Sequence, residues 1–263
     1  MKSIVSRDNV TFKALRALAE DAREQRRQGR TVLDGPHLVG AYLDRIGKPE
    51  FIAISESGSG NPEVQRLLAA HDGEAISLKD SLFREISGVA SPVGLLAVIA
   101  IPEAPTGSTE GSCVLLDGVQ DAGNVGSILR SAAAAGIADI ALGPGCAGAW
   151  TPRVLRAGQG AHFSLRIREQ ADLAALIRDW HGTGVATVAR GGTPIYALEL
   201  SGDVAWLFGN EGAGLSPLLL GAAAVRAEIP MAAGNESLNV AAAAAVCLFE
   251  EVRQKRAKEK RHA

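Results

Sequence analysis

Aromatic residues make up 4% of this chain of 263 residues, which holds three cysteines and two methionines. No apolar run approaches the roughly 18 residues that a membrane span needs. The opening "MKSIVSRDNV" lacks the apolar segment of a secretion signal. Cys113, Cys146 and Cys247 lie far apart in apolar contexts, so they read as reduced core cysteines. The five histidines show no metal-ligand spacing with them. A soluble, cytoplasmic protein with no metal and no membrane association is therefore expected. Excess charge is lacking too: the formal net charge is −2, and the whole chain gives no signal for nucleic acid.

The distribution of charge is more informative. Arg7, Lys13, Arg16, Arg23, Arg26, Arg27 and Arg30 fall in the first thirty residues, and the tail "VRQKRAKEKRHA" carries six basic residues against one acid. Basic ends on a neutral body suit a polyanionic partner, although a solvated helix face and a frayed tail give the same pattern. The chain is long enough for one large domain or two modest ones.

Apolar runs alternate with helical segments. Strands are expected at 50–55, 94–101, 113–117, 139–143, 184–189, 205–209 and 227–230. Helices are expected near 9–29, 36–46, 62–71, 125–135, 171–181, 215–223 and 238–257. This order predicts an α/β fold with a mostly parallel sheet. "IPEAPTGSTEGS" (101–112) is the best linker and divides the chain into 1–105 and 106–263. In the first part Pro36 suits the first turn of a helix, and His37 beside it reads as structural or RNA-facing. Nothing else there gathers a nucleophile, a base and a cofactor loop, so this part reads as a binding domain.

Three clusters in the second part are candidates for chemistry. In "LLDGVQDAGNVGSILRSAAAAGI" (115–137) a buried strand ends at Asp117 and a polar loop follows. Asn124 is a plausible helix cap and Gly136 a natural terminator. The loop sits at the carboxyl end of a strand, where open α/β sheets place ligands. Arg130 stands among apolar residues and needs an anion, a route to solvent, or a pair with Asp117 or Asp121. In "WLFGNEGAGLSPLLL" (206–220) Gly209, Gly212 and Gly214 allow close backbone approach. No Lys-Ser/Thr follows, so this is not the ATPase phosphate loop, and Glu211 would repel a phosphate. In "GNESLNVAAAAAV" (234–246) Ser237 or Asn239 would satisfy the free N–H groups of a helix start. One residue suffices for that, and the cluster of Glu236, Ser237 and Asn239 exceeds it.

In this order, "DAGNVGSILRSAAAAGI", "LFGNEGAGLS" and "IPMAAGNESLNVAAAA" resemble the three motifs of the SpoU (TrmH-like) RNA methyltransferases of the SPOUT superfamily, over about the last 150 residues. "VLDGPHLVGAYL" and "SPVGLLAVI" are more loosely similar to that family's smaller amino-terminal α/β domain, which is ribosomal-protein-like and binds substrate. The resemblance implies a carboxyl-terminal parallel-sheet domain of the SPOUT type with a deep trefoil knot. It implies S-adenosylmethionine as methyl donor, an RNA ribose 2′-hydroxyl as acceptor, and a homodimer. Ribosomal RNA is the expected target, with transfer RNA as the alternative, or RNA binding without catalysis in a protein of the same fold.

Carried over, Asn124, Arg130, Glu211, Ser237 and Asn239 are the catalytic candidates. Gly209, Asn210, Ile229, Met231 and Leu238 would contact the cofactor, with Ala189 and Arg190 closing its pocket. Arg130 is a general base in family proposals. A guanidinium pKa above about 12 equally suits a clamp on the phosphate and the developing oxyanion. The sequence departs from the family at Ala122, where proline is common, and at Gly158, where serine is frequent.

Overall fold

A computed structural model describes residues 1–107 and 109–262, without the side chains of 261 and 262. Ser108 of the expected linker, the side chains of Arg261 and His262 in the basic tail, and Ala263 lie outside the described residues. The chain forms two compact units: Met1–Glu103 with Trp150–Phe163, and Ala104–Ala149 with Ser164–Ala263. The expected division at 105 thus misses an excursion. Trp150–Phe163, assigned from sequence to the second part, folds with the first.

The first unit is a five-stranded mixed sheet. Its strands are β1 (Lys2–Ile4), β2 (Arg30–Asp34), β3 (Phe51–Ser55), β4 (Glu74–Leu78) and β5 (Leu95–Ala100), in the order β1-β4-β3-β5-β2. β5 runs antiparallel to both β2 and β3. Its helices are α1 (Val10–Glu20), α2 (Ala22–Gln28), α3 (Pro36–Arg45), α4 (Pro62–Ala69) and α5 (Asp80–Ile86). The single helix expected over 9–29 is two. Asp21 is extended, and its carboxylate accepts from the N–H groups of Arg23 (2.7 Å) and Glu24 (3.4 Å), capping a new helix. Phe12, Leu15 and Leu18 form the buried stripe of α1 over Ile76, Leu78 and Phe83.

The second unit is built on β6 (Cys113–Asp117), β7 (Asp139–Leu142), β8 (Arg166–Arg168), β9 (Thr183–Thr187), β10 (Thr193–Pro194), β11 (Val204–Gly209) and β12 (Val225–Glu228). Every pairing in its sheet, of order β10-β12-β9-β11-β6-β7-β8, is parallel. Its helices are α6 (Ala122–Ala135), α8 (Leu173–Arg178), α9 (Pro217–Ala222) and α10 (Val240–His262). The excursion between β7 and β8 contains α7 (Pro152–Gly158), which packs on β2. The Thr31 hydroxyl donates to the Trp150 carbonyl at 2.6 Å, and Tyr42 meets Phe163 edge-on.

Leu115, Leu207, Ala186 and Leu219 fill the core on one face of the second sheet. On β11 the indole of Trp206 and the ring of Phe208 are stacked, with centroids 6.2 Å apart. α10 packs against β11 and, more extensively, against α6. The apolar run from Val240 is only partly buried: Ala241, Ala244, Cys247 and Leu248 form a stripe, while Ala242 and Phe249 are exposed. Cys113 and Cys247 are buried free thiols, pushed up to about 12 by loss of water, and Cys146 is half-buried. No described helix is long and apolar enough to cross a membrane.

Candidate active site

In a parallel sheet the strands deliver their loops to one edge. β6, β11 and β12 each end in a polar loop there, and the loops after β9, β11 and β12, with the start of α10, line a cavity of about 650 Å³. Gly209, Asn210, Glu211, Ile229, Met231, Ser237, Leu238, Asn239 and Ala189 all line it. A larger cavity, about 970 Å³, opens beside α8 and the starts of β9 and β11, and none of the candidate residues reaches it. The smaller one is the better candidate, because most of the residues singled out in the sequence line it.

The loop after β11 shows why its glycines are there. Asn210 and Gly214 exchange backbone hydrogen bonds of 3.0 and 2.9 Å, closing a tight turn. A Cβ on Gly209 would lie 2.3 Å from the backbone of Gly214 and Leu215, and Gly214 has φ +70°. The close approach expected for a ligand is thus made first by the chain itself. The Asn210 side chain fixes the same turn. Its carbonyl accepts from Gly212 N (2.9 Å) and Ala213 N (3.0 Å), and its amide donates to the Gly118 carbonyl at 2.8 Å. Asp117 accepts from Ser216 N at 2.7 Å, a second tie between the loops after β6 and β11.

Asn124 differs from its sequence reading. Asp121 is the cap of α6, accepting from Asn124 N at 2.8 Å, and Asn124 lies inside the first turn. Its side chain is thereby free to bridge. Asn124 Nδ2 donates to Glu211 Oε1 at 2.9 Å, and Asn239 Nδ2 donates to Asn124 Oδ1 at 2.9 Å. Asn239 does cap α10, its Oδ1 accepting from Ala241 N (2.9 Å) and Ala242 N (3.2 Å). One directed chain, Asn239 to Asn124 to Glu211, joins the three sequence clusters. Partial burial pushes the Glu211 carboxyl up, but the Asn124 amide and backbone N–H groups outweigh it and hold it below the usual carboxylate range. Glu211 is therefore an anion near neutral pH.

Three candidates are not part of the cavity lining: Asn124, which meets it only through Glu211 and Asn239, and two arginines. Arg190 is exposed and donates to the Asn235 carbonyl at 3.5 Å, at the limit of a hydrogen bond, where it tethers the loop before α10. Arg130 lies six residues beyond Asn124, about 9 Å along α6 and about 120° around it. It is exposed and bonds no described residue. Asp117 and Asp121, its candidate partners, accept instead from backbone N–H groups. Ser237 is exposed on the cavity wall, as is Glu236, for which the sequence suggested no role.

The lining carries two carboxylates, Glu211 and Glu236, and no basic side chain among its described residues. Such a site disfavours a polyphosphate and suits a ligand with net positive charge. S-adenosylmethionine, with a sulfonium and an ammonium against one carboxylate, fits that description. The volume lies in the range of small-molecule sites.

Residues 111–249 match the SpoU rRNA Methylase family. The chain is 29% identical to a 23S rRNA (guanosine(2553)-2′-O)-methyltransferase of Bacillus subtilis (strain 168), over 95% of this chain and 98% of that protein. It is 30% identical to an uncharacterized tRNA/rRNA methyltransferase of Synechocystis sp., over 96% of this chain and 94% of the other. Among solved structures, an AdoMet-bound rRNA methyltransferase from Sinorhizobium meliloti superposes with a TM-score of 0.84 at 27% identity, covering 96% of this chain and 97% of that one.

Proposed function

The chain belongs to the SpoU rRNA Methylase family, and we propose that this RNA 2′-O-methyltransferase modifies a ribose in ribosomal RNA, with S-adenosylmethionine in the cavity at the carboxyl edge of the second unit. The carrying observation is the chain of 2.9 Å hydrogen bonds that joins Asn239, Asn124 and Glu211 beside a cavity without basic side chains. Its relatives' names support ribosomal RNA over transfer RNA, and guanosine as the first nucleotide to test.

When bound, the donor supplies an electrophilic methyl group on a sulfonium. The protein's work is to hold that group, aim the acceptor and exclude competing nucleophiles. Backbone around Gly209, Ile229, Met231 and Leu238 would hold the donor, with Asn210 keeping the turn in shape. Asn124 and Asn239 orient each other, leaving the exposed Ser237 hydroxyl to meet the ribose. The low pKa of Glu211 makes it a poor proton acceptor, so its role is to fix Asn124 and to favour the positive charge of the donor. Arg130, exposed and bonded to no described residue, is available to clamp the phosphate beside the acceptor ribose and to stabilise the developing oxyanion. The 2′-hydroxyl proton leaves to solvent water.

A homodimer belongs to the same reading. Phe249 on α10, 48% exposed, marks the face of that helix where a contact between copies is tested first. Ala189 and Arg190 would close the cavity, and the first unit would bind RNA. There, Arg7, Lys13, Arg16, Arg27 and Arg30 each pair with a neighbouring acid. Such exposed pairs are weak enough to exchange for phosphate. Titrating the purified protein with S-adenosylmethionine and with ATP tests the assignment. Saturable binding of the first with none of the second is expected, and a preference for ATP overturns it.

A further inference from the structure

α10 packs on α6, and alanines are among the buried residues of both helices. Ala241 and Ala244 of one and Ala132 of the other are buried. Methyl groups make shallow ridges, so the alanine contacts say little about axial register. Something else must fix how far α10 slides along its neighbours. The far end of the helix supplies it. Glu251 is buried, its side chain 2% exposed. Its Oε2 accepts from the Trp206 indole Nε1 at 2.5 Å, and its Oε1 accepts from the Ser112 hydroxyl and from Lys255 Nζ, the latter at 2.8 Å. Ser112 in turn accepts from Val204 N at 2.9 Å and from Lys255 at 3.0 Å.

These partners fall on particular strands. Trp206 belongs to β11, whose loop carries Glu211. Ser112 stands just before β6, whose loop leads to Asn124. One buried carboxylate therefore ties α10 to the two strands that bear the other members of the hydrogen-bonded chain. About 18 Å of helix separates Glu251 from Asn239, and a helix transmits a slip at one end to the other. Buried polar groups are best attested as devices that fix register.

We infer that Glu251 is a positioning residue, which sets the register of α10 against β6 and β11 and so holds Asn239 within hydrogen-bonding distance of Asn124. The inference rests on the proposed function for its catalytic consequence, while its structural core stands without it.

The test compares full-length wild type with Glu251→Gln, Trp206→Phe and Leu248→Ala. The last removes buried apolar volume from the same helix and leaves the network intact. The side-chain amide resonances of Asn124 and Asn239 are read in ¹⁵N-labelled protein without ligand, and methyl transfer is counted per bound S-adenosylmethionine. In Glu251→Gln the Asn239 amide signal is expected to move to the position of a free amide, and the Asn124 signal, whose amide still donates to Glu211, to follow by less, with turnover down about tenfold or more. Trp206→Phe should move them the same way by less, and it decides the matter if the first variant does not fold. Leu248→Ala should leave them in place. Unmoved signals in Glu251→Gln or Trp206→Phe overturn the inference, as does an equal shift in Leu248→Ala. If wild type transfers no methyl group, the proposed function fails, and the amide signals still decide the role of Glu251.

Discussion

The two edges of the second unit's sheet use similar side chains to opposite ends. At the carboxyl edge Asn124, Glu211, Ser237 and Asn239 are exposed or half-buried, and two amides and a carboxylate are strung in one direction with further donors and acceptors unused. At the other edge Glu251, Ser112 and Trp206 are buried, and both carboxylate oxygens accept from within the protein. Both clusters join β11 and α10, the exposed one through Asn124 of α6 and the buried one through Ser112 just before β6. A satisfied buried network fixes geometry, whereas a partly satisfied exposed one is free to bind. The comparison separates anchoring from work.

The largest effect should come from breaking the buried edge. Glu251→Ala strands the Trp206 and Ser112 donors and Lys255, and should cost about 3–5 kcal/mol of unfolding free energy, measured by urea denaturation. Next come substitutions at the exposed edge. Arg130→Ala and Asn124→Ala should each lower turnover by about 10²–10³-fold while changing stability little, and Arg130→Ala should leave S-adenosylmethionine affinity intact in titration calorimetry. Normal methyl transfer by Arg130→Ala would remove it from both the clamp and the base role. Asp121→Ala, which takes the cap from α6, should cost about 1 kcal/mol in thermal unfolding, a cap's ordinary worth.

The smallest effect is in pH. Glu211 has a lowered pKa in the folded protein, so the unfolded chain binds its proton more readily. Its contribution is present above the ordinary carboxylate pKa and is lost as pH falls through the lowered one. Asn124→Ala removes a main cause of the lowering. The stability gap between wild type and Asn124→Ala should therefore narrow as pH falls below the ordinary carboxylate range. A gap constant with pH would mean that the Asn124–Glu211 bond does not act on the carboxylate.

Much of the second unit is legible in sequence because its strands are buried on both faces and read as apolar runs. β6, β7 and β11 stand within a residue of where they were expected. β8 was invisible, since Arg166-Ile167-Arg168 looks like a surface segment. Only the fold reveals that both arginines face the fully buried Asp139. β2 and β4 of the first unit do not stand out because polar residues, Arg30, Thr31 and Asp34 in one and Glu74 and Ser77 in the other, break their apolar pattern. The excursion through α7 was missed because local pattern carries no information on which unit a helix joins.

The candidate site divides in the same way. The three clusters were visible as polar excess at strand ends. Their linkage through Asn124 was hidden by the equal fitness of Asp121 and Asn124 as caps, which only backbone geometry resolves. Glu251 gave no signal at all, because a glutamate in a helix rich in charged residues reads as solvated surface.

The central claim, that the carboxyl edge works on RNA, is met most directly by mapping 2′-O-methyl groups on ribosomal RNA. Cells with the wild-type chain, without it, and with Asn124→Ala in its place would be compared. The account predicts one ribose methylated in the first and bare in the other two. A map that is the same in all three would contradict it.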